Sequence, residues 1–289
     1  MSAAQSVERA TPETVPAELQ LVQVSTSFGE IVIYPYQNTP NHRANFLKLA
    51  REGAYDSTTF HRVIPNFMVQ GGDPNSKDAN PGNDGQGGPG YTQEAEIVNG
   101  YHHFRGAVAA ARQGDNVNPM RASSGSQFYI VQGQTFDTAS LGQMEQQLEM
   151  QAQQYFAQSV FPTLPQADWL RAYTQEELQR LQVQDPDSLQ RLNERFAREA
   201  TEAYQQAGVT IDFTDYVKQV YAEEGGSPHL DGQYTVFGEV ITGMDVVDNI
   251  AKQPTGAANR PNEDIRMRVS VLSLSGEEAI ERFGLPRYW

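Results

Sequence analysis

Short apolar runs bounded by turn-forming residues fill the first half of this chain, stop, and return near its end. Between 19 and 139 they are Leu21–Val24, Ile31–Tyr34, Phe60–Ile64, Phe67–Val69, Ala107–Ala111 and Phe128–Val131. After Gly225-Gly226 they resume at Tyr234–Ile241 and Met267–Leu274. Runs this short cannot make long helices, and their flanking Gly, Pro and Asn residues predict strands. Ser27-Phe28-Gly29-Glu30 reads as a tight hairpin connection between the first two. Two helices are predicted among them. One runs from about Asn41 to Arg51, with Phe46, Leu47, Leu49 and Ala50 as its apolar face and Gly53 past its end. The other covers about Met244–Lys252.

Residues 140–225 interrupt this pattern with 16 Gln, 14 acids and 6 bases. Their signals are helical. Thr174-Gln-Glu-Glu177 is a capping-box pattern. Asp185-Pro186 sets an N-cap residue before proline at the first helical position. Leu189, Leu192, Phe196, Ala200, Ala203 and Tyr204 recur at helical spacing, and Gly208 follows. Three or four helices are expected here. The chain thus reads as a discontinuous, mainly β domain, 19–139 and 226–276, carrying a helical insertion at 140–225. The polar stretch 1–18 is expected to be a flexible tail. In the tail 277–289, Ile280, Phe283, Leu285 and Trp289 form an apolar set expected to dock on the protein or on another copy.

A formal net charge of −15 disfavours nucleic acid as a partner, because phosphate backbones would be repelled. With no cysteine, a disulfide scaffold, a thiolate zinc site and a cysteine nucleophile are excluded. No apolar run reaches the roughly 18 residues needed to span a membrane. Compartment stays open: cytoplasmic for the sequence as given, periplasmic or otherwise exported if a signal peptide preceded it.

Several stretches invite chemistry and fail. Residues 71–90 are rich in Asp, Asn and Gly, but Lys77 stands where a calcium loop needs an oxygen ligand, so a glycine-rich surface loop is expected. His102-His103 lies near Glu94 and Glu96, but adjacent histidines in a strand or loop are expected to point opposite ways, which argues against one shared metal. Ser123, Ser124 and Ser126 surround Gly125 without forming a nucleophile elbow. No metal and no cofactor is expected.

The most specific segment is Phe60-His-Arg-Val-Ile-Pro-Asn-Phe-Met-Val-Gln-Gly-Gly-Asp73. Alternation puts Phe60, Arg62 and Ile64 on one face of a strand. On the next strand it puts Phe67 and Val69 on one face, Met68 and Gln70 on the other. Composition alone allows a plain hairpin with a stray arginine. That plain reading is the one composition favours; the functional reading needs an apolar pocket beside a fixed cationic donor, suited to a compact apolar ring next to a carbonyl.

That segment closely resembles the signature of the cyclophilin-type peptidyl-prolyl cis-trans isomerases, and the resemblance continues in order. Gly106–Arg112, Ser124–Ile130, Leu230-Asp231-Gly232, Val236–Val240 and Gly243–Val247 each resemble a family element. The resemblance covers 19–139 and 226–276. It implies a closed eight-stranded antiparallel barrel capped by two helices, acting on Xaa–Pro bonds of peptides and unfolded proteins and so assisting folding. It implies catalysis by Arg62 with Gln70. Substrate binding is implied for Phe67, Met68 and Tyr129 around the proline, Leu230 on the pocket's other side, Gln127 beside Gln70, and the Ala111–Arg112 backbone before the proline. Tyr234 stands where the family often has His, His229 where it often has Trp, and Tyr129 where Phe is usual. Loss of the indole at His229 implies weak binding of cyclosporin-like macrocycles. The Tyr129 hydroxyl is expected at the pocket rim, since burying it unpaired would be unfavourable. The insertion 140–225 is expected either to contact a client or partner or to be a decoration packed on the barrel.

Overall fold

Two turn residues, Ser27 and Phe28, reverse the chain between strands β1 (Glu18–Thr26) and β2 (Gly29–Pro35), which pair antiparallel from Thr26↔Gly29 to Val22↔Ile33. The computed structural model describes residues 16–208, 210–284 and 286–288. Residues 1–15 of the expected N-terminal tail therefore lie outside the described residues, as do Leu285 and Trp289. Helix α1 (Pro40–Arg51) starts with proline at its first position, where a missing N–H costs nothing, and ends on Lys48 and Arg51, which favour the negative end of the helix dipole. Its buried face is His42, Phe46, Leu47, Leu49 and Ala50. Strands β3 (Arg62–Ile64) and β4 (Met68–Gly71) form a hairpin. They are followed by β5 (Thr92–Gln93), β6 (Ala107–Ala110), β7 (Ser123–Ser124) and β8 (Phe128–Val131).

Four helices follow: α2 (Thr138–Tyr155), α3 (Gln175–Gln184), α4 (Pro186–Ala207) and α5 (Asp215–Glu223). The expected caps operate. Thr174 accepts from the Glu177 N–H at 3.2 Å, Asp185 accepts from the Ser188 N–H at 3.1 Å, and Gly208 ends α4 at φ 63°. The chain then returns to β9 (Val236–Thr242), α6 (Met244–Ala251), β10 (Arg268–Ser275) and α7 (Gly276–Phe283).

Among the described residues, eight strands form one antiparallel sheet in the order β10-β1-β2-β9-β6-β8-β4-β3, and β5 pairs with β7 apart from it. The eight apolar runs supply these eight strands. The segments leading into the two end strands also meet. Phe60 N–H donates to the Ile265 carbonyl at 3.0 Å and Met267 N–H to that of Thr58 at 2.9 Å, around an antiparallel bridge between Thr59 and Arg266. Val22, Val24, Ile31, Ile33, Val63, Val69, Val108 and Ile130 are buried on one face of the sheet, in a core shared with Phe46 of α1 and Val247 and Ile250 of α6. Each such side chain contributes about 1.5–3 kcal/mol on burial. No helix among the described residues is long and apolar enough to cross a membrane.

The chain divides into two compact units. One is Glu145–Asp212; the other comprises 16–144 and the chain from Phe213 onward. The first has its own small core, in which Phe156, Val160, Phe161, Ala167, Ala200, Ala203 and Tyr204 are buried. In the second, the two flanks of the long excursion meet at a narrow neck. Gln134 and Gly226 exchange backbone hydrogen bonds at 3.1 and 2.9 Å, and a Cβ on Gly133 would stand 2.4 Å from the Gly226 Cα. Gly133 also has φ 70°, so glycine is required there on both counts.

Candidate functional site

Strand pairing sets the catalytic candidates side by side. Arg62 faces Gln70 across the β3–β4 hairpin, and Ile64 faces Met68. Val63 and Val69 take the opposite, core face. The expected alternation needs correction at two residues. Phe60 precedes β3 and lies in the core rather than beside Arg62, and Phe67 precedes β4 and lines the same cavity as Met68. The strands are shorter than the motif, so strict alternation fails at its ends.

Arg62 Nη1 donates to Gln70 Oε1 at 3.2 Å, and Gln70 Nε2 donates to Gln127 Oε1 at 3.1 Å. Gln127 Nε2 then donates to the carbonyls of Gly85 and Gly87 at 3.1 and 2.7 Å. Every bond runs in the same sense, so both amides are oriented and the guanidinium is aimed. The loop that receives this chain is held by buried Asp73, which accepts from the N–H groups of Asn75 and Gly87. The 71–90 stretch thus acts as a structured support.

Arg62, Gln70 and Gly85 border a cavity of about 280 Å³. Phe67, Met68, Tyr129 and Leu230 give it apolar walls; Arg62, Gln70, Ala111, Arg112 and Tyr234 complete its expected lining. Two expected residues stand behind or beside it. Gln127 acts through Gln70, and exposed His229 lies with its ring 5.4 Å from that of Phe67. Ala111 spends its N–H on the Gln127 carbonyl and accepts from the Ser124 N–H. The Arg112 guanidinium is committed too: it bonds Asp115 at 2.6 Å and lies 4.4 Å above the Tyr234 ring.

The hydroxyl of Tyr129 is a correction. It is not at the rim but buried, paired with His103 Nε2 at 2.9 Å. His103 Nδ1 in turn bonds Asp231 Oδ1 at 2.8 Å, and His102 Nδ1 bonds Asp231 Oδ2 at 2.9 Å. The adjacent histidines therefore converge on one carboxylate, against the alternation expected of them, because neither lies in a strand. Tyr221 of α5 donates its hydroxyl to the same carboxylate at 2.6 Å. Burial pushes the Asp231 carboxyl up, but the two histidines outweigh it and hold it well below the usual carboxylate range. Burial raises the Tyr129 and Tyr221 phenols.

Sequence reasoning missed part of the lining. His61, Pro81, Asp84, Ala258 and Arg260 also border the cavity. Burial lowers the pKa of His61, opposed by Asp73 and Asp84. Arg260 bonds Asp84 at 2.7 Å and Asp264 at 2.6 Å, fastening one edge. His61 was within reach, as Arg62's neighbour in the motif; Arg260 and Asp84 are 176 positions apart and carry no local signal.

Comparison with known proteins places this geometry. Residues 21–150 and 210–271 match the sequence profile of the family described as cyclophilin type peptidyl-prolyl cis-trans isomerase/CLD. A Streptococcus pyogenes protein, named as a bifunctional phosphatase/peptidyl-prolyl cis-trans isomerase, is 32% identical over 84% of this chain and 37% of its own length. Peptidyl-prolyl cis-trans isomerase B of Bacillus subtilis is 45% identical over 35% of this chain and 62% of its own. The chain thus spans less than two thirds of either relative. A solved cyclophilin type peptidyl-prolyl cis-trans isomerase of Cryptosporidium parvum superposes with a TM-score of 0.50 at 18% identity, covering 89% of this chain and 98% of that one. That likeness shows a cyclophilin-like fold.

Proposed function

The chain belongs to the cyclophilin-type peptidyl-prolyl cis-trans isomerase family, and from that premise we propose that it isomerises Xaa–Pro bonds in peptides and unfolded proteins at the Arg62 cavity. The observation that carries this reading is the oriented Arg62–Gln70–Gln127 chain beside apolar walls.

The chemistry needs little else. An Xaa–Pro bond resists rotation by about 18–20 kcal/mol because twisting destroys amide resonance. In the twisted state the prolyl nitrogen pyramidalises and regains a lone pair. A guanidinium aimed at that nitrogen bonds it more strongly there than in either planar state, which is differential binding of the transition state. Phe67, Met68, Tyr129 and Leu230 grip the ring, Arg62 donates, Gln70 and Gln127 aim it, and Ala111, Arg112 and Tyr234 flank the preceding residues. The Ala111 groups already bonded to Gln127 and Ser124 direct peptide contact toward the Arg112 backbone. His229 presents an imidazole where an indole would offer more surface, so cyclosporin-like macrocycles bind weakly.

The eight-stranded sheet closes into a barrel capped by α1 and α6 in this reading. The support is the bonding between the segments that precede β3 and β10. The domain division, 19–139 with 226–276 around an insertion at 140–225, is supported by the separate core of Glu145–Asp212. The insertion is a candidate surface for unfolded clients.

Prolyl exchange in a short peptide, followed by NMR, tests the activity. Arg62→Ala should lower the exchange rate at least about hundredfold with an unchanged circular dichroism spectrum. Exchange in the variant near the wild-type rate would refute the role of Arg62.

A further inference from the structure

The two walls that grip the proline ring come from distant parts of the chain, Tyr129 on β8 and Leu230 in a 3-10 turn before β9. A ring held between them is sensitive to their separation. One buried carboxylate is tied to both. Asp231 follows Leu230 directly, so fixing it fixes the turn that presents Leu230. It reaches Tyr129 through His103, whose ring stacks at 12° to the tyrosine ring and bonds its hydroxyl.

The donors around Asp231 make this arrangement rigid. The carboxylate accepts from His103 twice, through N–H and Nδ1, from His102 Nδ1 and from the Tyr221 hydroxyl. A carboxylate can only accept, so it dictates an Nδ1–H tautomer on His103. In that tautomer Nε2 is the acceptor, and the Tyr129 hydroxyl donates to it. The direction of each bond is set from Asp231 outward. Tyr221 brings in α5, which Arg287 also clamps through Glu224 at 2.6 Å. Neither Arg62 nor Gln70 bonds any member of this cluster; they are aimed from the other side, through Gln127.

Resting on the isomerase reading above, we propose that Asp231 is a positioning residue, with His103 and Tyr221, that sets the width of the proline pocket by holding Leu230 and Tyr129 together. The proline ring occupies the pocket in the planar and the twisted states alike, so loosening the walls weakens both equally. Affinity falls and turnover of bound peptide is kept. This split separates the cluster from Arg62, whose loss strikes turnover.

The experiment uses the full chain and an Ala-Pro tetrapeptide, with Kd from NMR titration and the on-enzyme cis–trans exchange rate at saturation. Tyr221→Phe keeps the ring and removes one bond to Asp231; Kd should rise about threefold. His103→Phe strands the Tyr129 hydroxyl; Kd should rise about tenfold. In both, on-enzyme exchange should stay within twofold of wild type. Imidazole nitrogen shifts of the wild type should show His103 protonated at Nδ1. Unchanged Kd in both variants, exchange falling at constant Kd, or an Nε2-protonated His103 would each overturn the proposal. The Kd shifts decide it even if the wild type binds the peptide without turning it over, an outcome that sinks only the isomerase reading. No binding by the wild type sinks both.

Discussion

His103 reaches Asp231 from 128 positions away, whereas Arg180 reaches Glu177 from three. The contrast holds across the two units. Around the cavity of the sheet-bearing unit, the buried carboxylates Asp231 and Asp84 are answered from far along the chain, by His103 and Arg260. In Glu145–Asp212 the ion pairs are exposed and local: Arg171–Asp168, Arg180–Glu177 and Arg195–Glu199, each within one helical turn. Long-range buried bonds fix side chains in one geometry, which a catalytic pocket needs. Local surface pairs fix only a helix. The acids Asp168 and Glu177 of the insertion thus sit on solvated faces, while Asp231 and Asp84 near the cavity are structural parts.

The sharpest break of this comparison is a core truncation in each unit. Phe128, fully buried against Phe46 and Tyr55, should cost about 3–5 kcal/mol on replacement by alanine and take the pocket with it, read by denaturant unfolding. Phe161→Ala should melt Glu145–Asp212 at lower temperature while peptide exchange stays within twofold. Lost exchange in Phe161→Ala would mean that the units are not functionally separable.

Two deletions sharpen it next. Replacing 145–212 by a short linker keeps Tyr221 and should leave peptide Kd unchanged. Replacing 140–225 removes Tyr221 and should weaken peptide binding about threefold or more. Refolding of a proline-limited protein substrate, measured alongside, reports on client capture: a fall in refolding with normal peptide exchange supports that role for the insertion.

Glu239 offers a pH-resolved test. Burial raises its carboxyl from 4.5 to about 7, against the pull of Arg287. The raised value means that the folded state holds a proton which the unfolded state has released. The cost is absent below pH 4.5, grows as pH rises to about 7, and is complete above it. Glu239→Gln should thus match wild type at pH 4.5 and exceed it at pH 8 by on the order of 2–3 kcal/mol in urea unfolding. Equal stability at both pH values would contradict the burial. The smallest effect belongs to the helical unit: Arg180→Gln should move its melting midpoint by less than about 1 °C.

What the sequence disclosed follows the same divide. Caps at Thr174 and Asp185 and the eight apolar runs were legible because their physics is local. Arg62 opposite Gln70 was legible because a short hairpin ties position to register. The partners of Tyr129 and Arg260 were not, since nothing in a strand pattern announces a bond across 26 or 176 positions. The convergence of His102 and His103 on Asp231 was not legible, because a loop need not keep the alternation of a strand. Helix α5 shares the composition of its neighbours, yet Val217, Val220 and Tyr221 are buried in the sheet-bearing unit, a placement that periodicity alone cannot assign.

The glycine neck at Gln134 and Gly226 has a consequence for how such a chain can change. Because the two flanks are stitched together there, the sheet-bearing unit holds the chain as far as Met144 and again from Phe213, and the length between those points is not set by the sheet. Doubling a flexible excursion adds only about 0.6 kcal/mol of closure entropy. The neck is thus a socket: a foreign module can be spliced in place of Glu145–Asp212 without retuning the pocket, provided that Gly133, Gly226 and the tyrosine of α5 stay in place.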